Sequence, residues 1–532
     1  MSKLRQDGPR GPLPPAASHS PPVFGASGGR GTPRLSRRRF LKAAGAGGVG
    51  ALIGLAGGAG RGLAFQPDGV GSGTSGVRSP EGWNPLRMAP EVKPNALTLH
   101  AEVGRADVGG GMEGDAWLLN GSLPSPLIRV RKGERFHAIL ENDVPDPLIL
   151  HWHGLTPPAD MDGHPRYAVR EGETYEYDFT VENRAGTYWY HSHAHHRVGK
   201  HAYLGIAGML IVEDEEEEGL GLPSGEREIP IVLQDRRVDP ERGLLHYSNP
   251  DTVEGVIGNE PFGNGVNYPY LEVDTAVYRF RILNGSNARI FRLAREDGRP
   301  MTLIGNDAGL LPRSEDVEYV DMGPGERVDL LLDLRDASVG EVIQLGSRAF
   351  HIGTGLAGEQ QTHRQGHPLE LLKLVVAREV EDSFEMPGTL ADPGGPDPAD
   401  AVRERTFTFT SDRDYHTRTM MEHHINDLSY RMDRIDERVP FGETEIWSFI
   451  NENHFPHPMH LHATHFRVLS REGYRGLVLP WERGLKDTVL VHPEEHVRVA
   501  VRFDAHPGLF LLHCHNLEHE DVGMMLNIMV ER

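Results

Sequence analysis

The sequence predicts an all-β chain of about three consecutive sandwich or barrel units, on three observations. Apolar and polar residues alternate at period two in Phe136/Ala138/Leu140, Tyr175/Tyr177/Phe179/Val181 and Val497/Val499/Val501/Phe503, the pattern of half-buried antiparallel strands. Long helical periodicity is missing, and 63 Gly and 39 Pro punctuate short runs throughout the 532 residues. At about 150 residues per domain, the length beyond the N-terminal extension suits about three units.

The elements follow in order. Residues 1–35 are rich in Pro, Gly and Ser without apolar periodicity, as expected of a disordered extension. Ser36-Arg37-Arg38-Arg39-Phe40-Leu41-Lys42 then precedes the weakly apolar run Ala43 to Gly57 and a small-residue cleavage context at Gly62-Leu63-Ala64. This resembles a twin-arginine signal peptide, so residues 1–64 read as a leader and extension, with the twin-arginine export machinery as partner. A periplasmic, cell-surface or extracellular location follows. Glycine interrupts the apolar run and it falls short of the ~20 residues that cross a bilayer, so no stable membrane span is expected. Residues 65–90 read as a flexible linker. A first unit, 91–218, ends in the strand-like Gly208-Met209-Leu210-Ile211-Val212 and the acidic run Glu213 to Glu218, read as a solvated connection. A second unit, 225–380, is followed by a Pro/Gly/Asp-rich linker, 381–402, and a third unit, 403–532. The net charge of −22 excludes nucleic-acid binding by a basic face. A single cysteine excludes an internal disulfide, so stability rests on packing.

That cysteine, Cys514, sits in His513-Cys514-His515-Asn516-Leu517-Glu518-His519-Glu520-Asp521-Val522-Gly523-Met524, which offers a thiolate, three imidazoles and a thioether within a short span. A soft thiolate with two imidazoles and a weak thioether is the ligand set of a blue copper site. A buried structural thiol is the plain alternative. Four His-x-His pairs bear on the choice: His151/His153, His191/His193, His460/His462 and His513/His515. On an extended segment residues i and i+2 share a face, so each pair presents two imidazoles together. Chance would place only about one or two such pairs among 29 histidines. Two pairs fall in the first unit and two in the third, enough for about three metal ions across an interface, and imidazole suits copper(II).

These four motifs resemble those of the multicopper oxidases, the family of laccases, bacterial cuprous oxidases and bilirubin oxidases. In the middle unit, Tyr278-Arg279-Phe280-Arg281-Ile282-Leu283-Asn284-Gly285-Ser286 and Gly323-Pro324-Gly325-Glu326-Arg327-Val328-Asp329 resemble that family's copper-free second domain. The resemblance implies three consecutive cupredoxin-like Greek-key domains and four copper ions. It implies a type 1 copper on His457, Cys514 and His519 with Met524 as axial ligand. It further implies a type 2 copper on His151 and His460, and a type 3 pair on His153, His191, His193, His462, His513 and His515. Ala463 departs from the pattern, standing where many relatives have Gly after His-Leu-His.

The implied activity is laccase-like. A small-molecule reductant, a phenol or aromatic amine, gives single electrons at the type 1 site, where His457 or His519 is expected to be partly exposed, and dioxygen is reduced to water at the cluster. Glu520 and Asp162 match the acids that similar bacterial enzymes use for proton delivery; orientation of ligating histidines is the other role such acids serve. Glu518 reads as structural. His195, His196, His201, His423, His424 and His454 read as surface or loop residues. Met420 and Met421 adjoin, but a methionine-rich insertion is missing from the third unit, which favours an organic donor over Cu(I). Oxidation of Cu(I) or Mn(II) in metal homeostasis is the alternative activity, and a non-enzymatic envelope scaffold or copper store the alternative class. Three units can hold every site within one chain, so a monomer is expected.

Overall fold

Period-two alternation becomes three two-sheet sandwiches, each closed around its own apolar core. The computed structural model describes residues 80–239, 243–244, 246–248, 251–352, 364–411 and 422–532. The leader and most of the 65–90 connection lie outside the described residues. In the first unit a five-stranded sheet runs in the order Glu91–Val92, Leu127–Arg131, Ala207–Glu213, Gly186–Ser192, Leu150–His153. It packs on a four-stranded sheet of Glu113–Leu119, Asn95–Asp107, Arg135–Asp143 and Thr174–Thr180 through Leu99, Phe136, Trp152, Tyr177 and Leu210. Larger six- and seven-stranded sheets form the middle unit around Phe280, Phe291, Leu303 and Leu374. Two five-stranded sheets form the third around Phe407, Trp447, Phe449 and Phe510. Neighbouring strands are often distant in sequence and some pair in parallel, as Leu127–Arg131 does with Ala207–Glu213. This is the Greek-key cupredoxin arrangement expected for all three units. Among the described residues no helix is long and apolar enough to cross a membrane.

Three connections differ from the sequence reading. Asn84–Pro85, within the expected flexible linker, pairs in parallel with Pro269–Asp274 and so adds an edge strand to the middle unit. Segment 381–402 has little regular structure, but it is anchored: Asp382 accepts from the Val277 amide, and Leu390 packs with Leu222, Val277 and Ile304. The acidic run is only partly solvated. Asp214 caps a helical turn, Glu215–Glu218, and its Glu215, Glu216 and Glu218 face water, whereas Glu217 turns inward. The two arginines at i and i+2 on strand Val277–Asn284 explain why. Glu217 accepts from Arg279 at 3.0 and 2.9 Å and from Arg281 at 2.6 Å. Burial opposes ionisation of Glu217, but Arg281 and Arg279 outweigh it and hold the carboxyl at about 2.

Candidate metal centre

Strand alternation divides the third unit's ligand-type side chains into two groups. We label Leu150–His153 β1, Gly186–Ser192 β2, His457–Leu461 β3, Thr488–Val491 β4 and Gly508–Cys514 β5. In β3, His457 and Met459 point into the unit's own core while His460 points out of it; Met459 pairs with Cys514 and His460 with His513 across β3 and β5. Cys514 therefore joins His457 inside the sandwich, and His513 joins His460 on the outer side. In the first unit His151 of β1 pairs with His191 of β2, and the loop after β2 adds His193.

The structure brings all eight paired histidines together at the junction of the first and third units, each fully buried. Ring nitrogens of seven of the eight face one another: His151 and His460 Nε2 at 3.3 Å, His193 and His513 Nε2 at 3.3 Å, His462 and His513 Nε2 at 3.1 Å, and His191 and His515 Nε2 at 3.4 Å. Which nitrogens carry protons follows from their other partners. A carbonyl oxygen only accepts, so Nδ1–H of His151 donates to Asp162 O at 2.6 Å, that of His460 to Asp487 O at 2.9 Å, that of His191 to Ser192 O at 2.9 Å, and that of His513 to Cys514 O at 3.1 Å. Between His151 and His460 both Nε2 atoms are therefore lone pairs aimed at each other, an arrangement that repels unless a cation lies between. Burial drives His151, His153, His193, His462 and His515 well below the usual 6.5 and His191 down to about 3, so these rings are neutral and ready to ligate. The donor set fits metal ions.

The second group is smaller. His457 Nδ1 lies 3.4 Å from Cys514 Sγ, His519 Nδ1 lies 3.8 Å from it, and the two Nδ1 atoms are 3.2 Å apart. Met524 is fully buried in the same apolar cluster as Cys514. Burial pushes the Cys514 thiol up, so metal binding there must displace a proton. The expectation that His457 or His519 is partly exposed is corrected: both are fully buried. The middle unit supplies the cover, with Val253 O accepting from His519 Nε2 at 3.2 Å and Glu254 O accepting from Asn516 at 3.0 Å. His423 is also corrected from surface residue to buried neighbour, its ring 3.9 Å from that of His519. Both its nitrogens are engaged, Nε2 with Thr252 O at 3.0 Å and Nδ1 with Asn453 at 3.0 Å, so it supports the site without a free lone pair to offer. His201 is likewise buried, 2.6 Å from Ser192 Oγ, while His196 and His454 are exposed.

Asp162 and Glu520 both lie against the paired histidines. Asp162 Oδ2 lies 2.7 Å from His462 Nδ1, and burial drives its carboxyl well above the ordinary range. Glu520 approaches His513 Nδ1 at 3.2 Å and His193 Nδ1 at 3.5 Å, contacts too poorly aligned for hydrogen bonds, so both its oxygens are unpartnered within protein. Glu518 ties the third unit to the middle one, accepting from the Val256 amide at 2.8 Å and from Asn287 at 2.7 Å, in line with its structural reading. Ala463 adopts φ 57°, the left-handed region that favours glycine, which is the physical reason a glycine suits that position. Two residues were not singled out from sequence. Trp189 stacks on His191 at 4.2 Å, and Asp487 lies 3.0 Å from His153 Nε2.

Family comparisons agree with this geometry. Models described as multicopper oxidase match residues 100–217 and 399–532. The chain is 30% identical over 469 residues to a laccase of Bacillus subtilis, covering 77% of this chain and 89% of the relative. It is 30% identical over 450 residues to a bilirubin oxidase of Albifimbria verrucaria, covering 82% and 75%. The crystal structure of the McoA multicopper oxidase of Aquifex aeolicus superposes with a TM-score of 0.76 at 34% identity, over 85% of this chain and all of that one. The chain belongs to the multicopper oxidases. It is a laccase-like copper oxidoreductase with dioxygen as electron acceptor.

Proposed function

We propose that the protein oxidises phenols or aromatic amines one electron at a time and carries four copper ions. In this reading units 91–218, 225–380 and 403–532 are its domains. Its ligands are His457, Cys514, His519 and axial Met524 for type 1, His151 and His460 for type 2, and His153, His191, His193, His462, His513 and His515 for the type 3 pair. The observation that carries the cluster assignment is the set of four facing nitrogen pairs at 3.1 to 3.4 Å between fully buried imidazoles. When bound, copper supplies one-electron redox chemistry at one centre and dioxygen reduction at the other.

The chain's own residues do the rest. Cys514 is bonded directly to His513 and His515, so a covalent path of one residue in each direction joins the sulfur to the cluster imidazoles. Asp162 and Glu520 flank the cluster from opposite units. Asp162 can hold a proton at Oδ2 beside His462, and Glu520, with unpartnered oxygens, can move one toward the forming water. Full burial of the cluster excludes bulk water from the reacting centre. The leader, outside the described residues, supports loading of metal before twin-arginine export and action outside the cytoplasm, and three units able to hold every site within one chain support a monomer.

Oxygen uptake by the copper-loaded protein, measured side by side with phenols, aromatic amines, Cu(I) and Mn(II), tests this reading. Uptake is expected fastest with an organic donor. A blue preparation that consumes no oxygen with any donor overturns the enzymatic reading, and uptake with metal ions alone transfers it to metal oxidation. Cys514→Ser is expected to abolish the blue absorption and keep the type 2 signal; loss of all copper signals together overturns the division of ligands.

A further inference from the structure

Nearly every paired histidine whose proton can be located turns Nδ1 to an acceptor and leaves Nε2 bare. His153 is reversed. Its Nε2 lies 3.0 Å from Asp487 Oδ1 and 3.1 Å from Thr488 Oγ1, while its buried Nδ1 has no hydrogen-bond partner. Asp487 immediately precedes β4 in the third unit, and its backbone carbonyl also takes the Nδ1–H of His460. One residue thus sets two neighbouring imidazoles in opposite senses, by its carbonyl and by its carboxylate.

The carboxylate is itself fixed by the middle unit. Arg327 donates to Asp487 Oδ1 at 2.8 Å and to Oδ2 at 2.6 Å. Its other N–H groups go to Thr187 O at 2.9 Å, Gly325 O at 3.0 Å and Asp307 O at 2.8 Å, so all five donors of the fork are used. Those partners come from all three units, and Arg327, Asp307 and Asp487 are fully buried. Two glycines record how closely this structure is built against the ligands. A Cβ on Gly154, the residue after His153, would lie 2.6 Å from Asp487 Oδ2 and 2.7 Å from Arg327 Nη2. A Cβ on Gly325 would lie 2.9 Å from the His515 ring and 3.2 Å from His153 Cε1.

We propose that Asp487, clamped by Arg327 of the copper-free middle unit, is a positioning residue of the trinuclear site that selects the tautomer of His153 and so presents its Nδ1 to the metal. The proposal rests on the ligand assignment above. A neutral imidazole has one N–H, and an ionised carboxylate can only accept, so Asp487 keeps that proton on Nε2. Without the carboxylate the proton is free to move to Nδ1, which removes His153 as a ligand while leaving the type 1 residues untouched.

The test compares copper-loaded wild type with Asp487→Ala and Thr488→Val, reading copper content, blue absorption, the near-ultraviolet absorption of the coupled pair and EPR intensity. Asp487→Ala is expected to keep the blue band, lose the coupled-pair absorption and gain type 2-like EPR intensity from the uncoupled ion, or lose that ion altogether. Thr488→Val, which keeps the carboxylate, is expected to retain the coupled pair. Retention of the pair in Asp487→Ala, or equal loss in both variants, overturns the proposal. Should Asp487→Ala fail to accumulate, Arg327→Lys against Arg327→Gln carries the test: the lysine variant keeps the pair and the glutamine variant loses it, and equal behaviour overturns the proposal. A wild type with neither blue band nor coupled pair instead overturns the ligand assignment on which it rests.

Discussion

Replacing Glu217 by Gln removes one negative charge from a buried cluster without changing side-chain size. Arg279 would still hold Asp329 and Arg281 would still hold Glu228 at 2.6 Å, so the arginines are weakened in their pairing and not abandoned. The size of the effect follows from the carboxyl's shift from 4.5 to about 2. At about 1.4 kcal/mol per unit, that is on the order of 3 kcal/mol, at the lower end of the 3–5 kcal/mol typical for breaking a buried pair. The sign is that of a depressed acid: the contribution is fully present above about pH 4.5 and is lost as pH falls through about 2. The stability difference between wild type and Glu217→Gln should therefore shrink by about 2 kcal/mol between pH 7 and pH 3. Because a chain of three units need not unfold in one step, the assay is hydrogen exchange of the amides in strand Val277–Asn284, which reads local stability where the arginines sit. A loss below about 1 kcal/mol at pH 7, or a difference that is the same at both pH values, would refute the charge argument, the second because packing loss does not titrate.

Ala463→Gly should raise local stability by roughly 1 kcal/mol, the usual cost of a non-glycine residue in the left-handed region, read as slower hydrogen exchange of the third unit's amides. Gly325→Ala should lower the copper content and disturb the type 3 signals, because its φ of 86° resists a side chain and the new Cβ would meet His515 at 2.9 Å. Asp162→Asn and Glu520→Gln separate proton delivery from ligand orientation. If they deliver protons, oxygen turnover falls about 10²–10⁴-fold with copper content and type 1 reduction unchanged; if they orient histidines, copper is lost first.

What the sequence made legible was whatever depends on local period. The His-x-His pairs and the Cys514 segment are contiguous, and alternation along a strand converts spacing directly into facing. His423 obeyed the same rule, although nothing in its immediate neighbourhood marks it as distinct from His424. It lies two residues before Ile425, whose strand partner Phe409 is in the core, so the alternation that buries Ile425 also buries His423 and leaves His424 less buried. Glu217, Asp487 and Arg327 were not legible because their chemistry is a matter of long-range pairing. Arg327 and Asp487 are 160 positions apart, and each alone is an ordinary charged residue at the edge of a strand-like run. Cover over His519 was hidden for the same reason: Val253 belongs to the middle unit, and its contact with His519 is made by a carbonyl, which every residue has.

The two centres depend on the fold in different ways. His457, Cys514, His519 and Met524 all belong to the third unit, and the link from Cys514 to His513 and His515 is covalent, so peptide geometry fixes the distance between centres. The cluster has no such guarantee. His151, His153, His191 and His193 come from one unit and His460, His462, His513 and His515 from another, so three of the four facing nitrogen pairs, all but His462 with His513, are only as exact as the packing between units. A displacement of about 1 Å is large on the scale of a coordination bond, whose lengths vary by about 0.2 Å in working sites. A third body that grips both halves is the physical remedy, and Arg327 is shaped for it, with Thr187 of the first unit and Asp487 of the third held by one planar group rooted in the middle unit. Substitutions at the unit junctions should therefore disturb the cluster signals before the blue type 1 band. A junction variant that loses the blue band while its cluster stays intact would show that the middle unit's hold on the cluster is not what the junction chiefly provides.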